Sequence, residues 1–187
     1  MKYLRSTIIL LIVITTACSK KEVDPFLVSK NNIGFLNDST QVKDLESIYI
    51  NDSIVRFKPS ANTFGNINDI DIFEKGGNHL LTLTAKQVLD STSIIKVVRV
   101  LDPRFKTEKG ITIESTFKDI KDNYNISSID KTFRTMIISV NEINAFFNIS
   151  KDNLPADMWF NTKDKVDVLQ VPDDVKINAF FVQWPEK

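Results

Sequence analysis

Cysteine and histidine are nearly missing from this chain. Cys18 is the only cysteine among 187 residues, so no intrachain disulfide can form and any fold must be held by packing alone. His79 is the only histidine, so the Cys/His ligand sets of ordinary zinc sites cannot be assembled. A Cys-His nucleophilic pair is excluded on the same ground, and a Ser-His-Asp triad would have to use His79. That residue follows Glu74-Lys75-Gly76-Gly77-Asn78 and reads as a histidine beside a hairpin turn. An excess of charge is missing too: 24 basic residues balance 24 acidic ones, with no basic stripe. Nucleic acid is therefore not an expected partner. The apolar run from Ile8 to Ile14 falls short of the roughly 20 residues of a spanning helix.

What is present begins at the N-terminus. Lys2 and Arg5 give a short cationic region, Ile8–Ile14 an apolar core, and Thr15, Thr16 and Ala17 a run of small residues ahead of Cys18. Charge, apolar core and small residues in that order predict an export signal over 1–17. Thr15-Thr16-Ala17-Cys18 resembles the lipobox of bacterial lipoproteins, with Thr15 standing where that family usually has an aliphatic residue. The resemblance implies cleavage after Ala17, acylation of Cys18 and attachment to a membrane. Removing Lys2 and Arg5 leaves 22 basic residues against 24 acidic ones. Ser19 after the cysteine argues against the inner-membrane retention signal of enteric bacteria, so the outer membrane is the expected location. Residues 18–31, polar and containing Pro25, are expected to be a flexible tether.

Residues 32–187 are expected to form an α+β domain, mainly antiparallel sheet with two short helices. The chain is 42% hydrophobic and holds 13 Phe, enough for a core. Val42, Leu45, Ile48 and Tyr49 recur at helical spacing after Ser39-Thr40, either of which suits an N-cap. Phe117, Ile120 and Tyr124 repeat the pattern after Ser115-Thr116. Strands are expected near 53–57, 70–73 and 80–84 about a Gly76-Gly77 turn, and at 94–101, 135–140, 145–149, 166–169 and 175–184. Ser-Thr, then Lys-Asp-apolar, then Tyr occurs twice, which predicts two helix-then-sheet units, 32–108 and 109–187, sharing one core.

This short pattern, over roughly 33–60 and 110–150, is similar to one in envelope lipoproteins with beta-lactamase-inhibitor-protein-like folds. The composition, rich in Asn, Lys, Ile and Asp, also resembles that of lipoproteins of Bacteroidetes. Both resemblances imply binding or assembly rather than catalysis, and neither carries over a functional residue.

The sequence offers few site candidates. Asp69 and Asp71 in Asn68-Asp69-Ile70-Asp71 lack the Gly and Glu of a calcium loop and read as one face of a strand. Asp38-Ser39-Thr40, Asp52-Ser53-Ile54 and Asp90-Ser91-Thr92 resemble the O-glycosylation tripeptide of Bacteroidetes envelope proteins. Aromatic residues near the end, Trp159, Phe160, Phe180 and Trp184, are the expected contact surface, because Trp and Phe are favoured interface anchors. The function expected is a non-enzymatic binding or assembly role with an envelope protein as partner and no metal or cofactor. A small-ligand-binding lipoprotein and a carboxylate-based hydrolase are the alternatives.

Overall fold

The computed structural model describes residues 23–56, 68–160 and 166–185. Cys18 and the expected signal segment, 1–17, lie outside these. The chain opens with three two-residue strands, β1 (Leu27–Val28), β2 (Asn32–Ile33) and β3 (Leu36–Asn37). A 3-10 turn (Val42–Asp44) leads into α1 (Leu45–Ile48). Four strands follow: β4 (Ser53–Arg56), β5 (Asp69–Phe73), β6 (His79–Ala85) and β7 (Ile95–Val100). After the short β8 (Lys106–Thr107) comes α2 (Phe117–Asn123), then β9 (Ser128–Lys131), β10 (Thr135–Val140) and β11 (Ala145–Ser150). The short α3 (Ala156–Phe160) precedes the last strand, β12 (Ala179–Gln183).

Eight strands make one antiparallel sheet in the order β4-β5-β6-β7-β12-β11-β10-β9. The short strands make a second, small sheet, β3-β2-β1-β8, in which β1 and β8 run parallel. The α+β class, mainly antiparallel with short helices, is as expected. α3 is an additional helix that the apolar spacing did not signal.

Alternation along each strand separates two faces. One register row crosses all eight strands as Ile54, Ile72, Leu81, Val100, Phe180, Phe147, Ile138 and Ile129. From Ile72 to Ile129 this apolar row belongs to one core cluster with Val28, Ile33 and Leu36 of the small sheet, Leu45 of α1, and Phe117 and Ile120 of α2, and half-buried Ile54 packs against it. The helices and the small sheet therefore supply the second layer against one face of the large sheet.

The two helix entries are built alike. Val42 N–H donates to Ser93 O and Lys43 N–H to Ser91 O; Phe117 N–H donates to Val175 O and Lys118 N–H to Asp173 O. Ile95 N–H reaches Thr40 O, as Ile177 N–H reaches Ser115 O. Gln41 bridges Ile94 and Thr116 bridges Lys176, both antiparallel. At each entry an Asp three residues on, Asp44 or Asp119, accepts the N–H of Gln41 or Thr116. This reciprocal bond satisfies a donor that the first helical turn leaves without a partner.

Several expectations are corrected. Ser39 and Thr40 do not cap the first helix: Gln41 stands at the cap of the 3-10 turn and Asp44 at that of α1, and Thr40 Oγ1 accepts from Asn37 N–H instead. The packed part starts before residue 32, since Val28 is fully buried and Leu27–Val28 pairs with Lys106–Thr107. The stretch 18–31 is thus not tether throughout. Within 166–169 no strand forms; Asp167 accepts the Leu169 N–H and starts a 3-10 turn at Val168–Gln170. The last strand covers only the second half of 175–184.

Candidate functional site

Among the described residues, no helix packs a core against the other face of the large sheet. Its register row runs Val55, Asp71, Thr82, Arg99, Phe181, Phe146, Ser139 and Ser128, again one residue from each strand. The row is mixed where its counterpart is uniformly apolar. At its centre Phe146 and Phe181 stack in parallel, 4.7 Å between ring centres and 9° between planes. The Arg99 guanidinium lies 5.7 Å from the Phe181 ring centre, giving a cation–π contact on an exposed side chain. Both rings are half-buried, so each keeps area for a partner.

Polar pairs hold the rest of this face in place. Thr82 Oγ1 donates to Asp71 Oδ1 at 2.7 Å and Thr84 Oγ1 to Asp69 Oδ1 at 2.8 Å. Asp69 and Asp71 share one strand face, as their spacing indicates, and are occupied by cross-strand hydroxyls. His79 Nε2 lies 3.1 Å from Asp71 Oδ1 and 3.3 Å from Thr82 Oγ1, while its ring stacks on Phe73 at 4.3 Å. A nucleophilic triad needs the acid on one ring nitrogen and the hydroxyl on the other. Here both partners share Nε2, so this cluster positions side chains and does not activate Thr82. Among the described residues, no group of three or more His, Cys, Asp or Glu is placed to hold a metal.

The aromatic residues expected to form the contact surface do not come together. Phe180 and Trp184 are core residues, at 0% and 1% exposure, and this corrects their assignment to a surface. Phe180 stacks on Phe147 at 4.8 Å inside the core. The Trp184 Nε1–H is buried and finds no acceptor among the described residues. The alternation along β12 is as read; it is the set Phe180, Val182 and Trp184 that faces the helices. Trp159 on α3 is half-buried against the core, with the Lys151 ammonium 5.4 Å from its ring. Phe160 ends α3, and its side chain lies outside the described residues. Phe146 and Phe181, the rings at the centre of the open face, each belong to a Phe-Phe pair of the sequence, because adjacent strand residues point to opposite faces.

At one end of the sheet, Lys96, Ser139, Asn141, Asn144, Gln183 and Trp184 border a shallow groove of about 430 Å³. Asn144 sits there in the left-handed region (φ 52°), held by its Nδ2 donating to Lys30 O. At the opposite end Arg104 makes paired bonds to Glu74 and to Asp102, and its guanidinium carbon lies 4.5 Å from the Phe26 ring centre. This pins the segment entering β1 to the turn between β5 and β6. Arg104 holds both carboxyl groups below the usual carboxylate range. Burial raises the Tyr49 phenol, and the Asp52 charge adds to the shift.

No family model matches this chain, and no curated protein matches it. Its fold is similar to that of the uncharacterized protein yfeY from Escherichia coli, with a TM-score of 0.54 and 17% identity. The likeness covers 83% of this chain and 98% of that one. It is a likeness of fold.

Proposed function

We propose that this chain is a lipid-anchored protein of the cell envelope, acylated at Cys18 on the outer membrane, that binds a partner protein through the open face of its eight-stranded sheet and is not an enzyme. The observation that carries the binding role is the stacked Phe146–Phe181 pair beside Arg99 at the centre of that face. Aromatic rings and arginine are the side chains that most often dominate interface energy, and a polar surround is the usual rim. The anchor rests on the run from Lys2 to Cys18. One acyl chain holds a membrane marginally, whereas the two or three of a bacterial lipoprotein hold it lastingly.

The same reading divides the domain into two repeated helix-then-sheet units, within 32–108 and 109–187. The matching helix entries support this division, as does the strand order, which pairs the last strand of each meander, β7 with β12. Two units joined in this way bury together an apolar face that neither covers alone.

A second reading, small-ligand binding, is favoured by the groove at Lys96, Asn141, Asn144 and Gln183. Two measurements test the proposal. Radiolabelled palmitate is expected on the wild type and not on Cys18→Ala; equal labelling overturns the anchor. Arg99→Glu with Phe181→Ala is expected to abolish co-purification of a reproducible partner from native membranes. Unchanged recovery of that partner removes the binding surface, and a Gln183→Ala variant that alone loses a bound small molecule favours the second reading.

A further inference from the structure

Exposed apolar side chains stand at both ends of the large sheet: Val88 and Leu89 share the turn between β6 and β7 at one, and a larger group lies at the other. Register fixes which end each turn occupies. Thr135 pairs with Ser150, so the turn between β9 and β10 lies at the end where β11 finishes. Asn148 pairs with Ala179, Phe180 with Val100, and Val100 with Leu81, which brings the start of β12, the finish of β7 and the start of β6 to that end. Phe73 pairs with both His79 and Ser53, adding the Gly76-Gly77 turn and the turn before β4.

Phe133 stands in the first of these turns at 90% exposure, and Ile50 in the last at 78%. Leu169, 87% exposed, lies in the segment joining β11 to β12, which leaves and re-enters the sheet there. Phe35, also exposed, follows Gly34, whose backbone packs against Pro25. Pro25 in turn adjoins Phe26, which the Arg104–Glu74 pair holds to this same end.

The described chain therefore begins, at Val23, beside this end. Cys18 stands five positions before Val23, the first described residue, a reach of about 17 Å at full extension. Phe133 is displaced from the Arg104 anchor by three strand spacings in the sheet order, β7 to β10, or about 14 Å. A lipid on Cys18 and the Phe133 turn can meet one plane together.

We infer that this end of the sheet lies against the bilayer, with Phe133, Ile50, Leu169 and Phe35 entering its interface as a second, acyl-independent contact. The inference rests on the anchored reading above and names the surface that the anchor orients. Side chains of both charges accompany these residues, Arg104 and Arg134 with Asp52 and Glu74. The contact is thus apolar, and its strength should change little with salt or with the content of anionic lipid. The open sheet face then stands upright from the membrane surface, clear for a partner.

Leu89 is the matched control: it is also 90% exposed but lies in the turn between β6 and β7, at the opposite end. With Cys18 acylated, the thiol of Phe133→Cys or of Leu89→Cys is the only one free to take a nitroxide label. The lipidated full chain is purified and placed in vesicles of phosphatidylethanolamine and phosphatidylglycerol. Collision rates with oxygen and with a water-soluble nickel complex are then read by electron paramagnetic resonance. The expected result is a label at 133 shielded from nickel and open to oxygen, several-fold below the nickel rate at 89, with Ile50→Cys behaving like 133. Vesicle-bound protein with equal, water-like rates at 133, 50 and 89 overturns the inference and leaves the anchor standing. A chain that takes no palmitate and stays out of the vesicle fraction overturns the anchor, and the inference with it.

Discussion

Phe146 and Phe181 meet face to face across β11 and β12, their ring centres 4.7 Å apart, on the side of the sheet that none of the described helices covers. Their neighbours in sequence, Phe147 and Phe180, stack the same way on the opposite, buried side at 4.8 Å. Two Phe-Phe pairs thus serve both faces at once. The pairing separates the rings that build the core from those left on the outer side.

That separation is measurable at adjacent residues. Phe180→Ala opens a cavity in a fully buried site and should cost about 3–5 kcal/mol, the usual range for a core Phe. Phe181→Ala removes a half-buried ring and should cost less, about 1–2 kcal/mol, the lost aromatic pair adding to the lost apolar area. Urea titration of both variants gives the comparison. Equal losses would mean that the two faces are wrongly assigned.

The turn between β2 and β3 depends on a missing side chain. Gly34 has φ +53°, and a Cβ there would stand 2.2 Å from Pro25 O. Gly34→Ala combines a left-handed backbone with a backbone clash, so it should destabilise by more than the about 1 kcal/mol of the conformational cost alone. Because β2 lies between β1 and β3, amide exchange should rise first at Val28 and Ile33.

Acid should loosen the same end. Asp102 and Glu74 are held low chiefly by the Arg104 guanidinium, and Asp119 chiefly by the Thr116 N–H. A carboxyl depressed in the folded state contributes stability that is fully present above its unfolded value, about 4. That stability is lost as pH falls through the lower folded value. The urea midpoint should therefore drop below about pH 4. Arg104→Ala should lower the midpoint at neutral pH and flatten the acid dependence, because Asp102 and Glu74 then return towards ordinary behaviour. An acid slope unchanged by Arg104→Ala would contradict this.

Much of the sheet was legible because its strands alternate. The hairpin about Gly76-Gly77, β7, β10 and β11 fall within a residue or two of the periodic segments, and Phe117, Ile120 and Tyr124 all point inward as spaced. The small sheet was not legible, since two residues such as Leu27–Val28 carry no period. β9 escaped for a related reason: Ile129 is its single buried position. At 166–169 the apolar alternation was present, but the Asp167 carboxylate captured a backbone N–H and turned the chain. For the contact surface, the sequence identified the aromatic strands but not which side of each the helices would take. That side is set by long-range packing of α2 and β1, which no local pattern encodes.

The open face as a binding surface is tested most directly by photo-crosslinking in native membranes. Benzoylphenylalanine is placed at 181 and 146, and at Asp122 on the exposed side of α2 as control. The account predicts one discrete adduct of the same mass from 181 and 146, absent from 122 and lost when Arg99 is replaced by Glu. An adduct from 122 with none from 181 or 146 would contradict it.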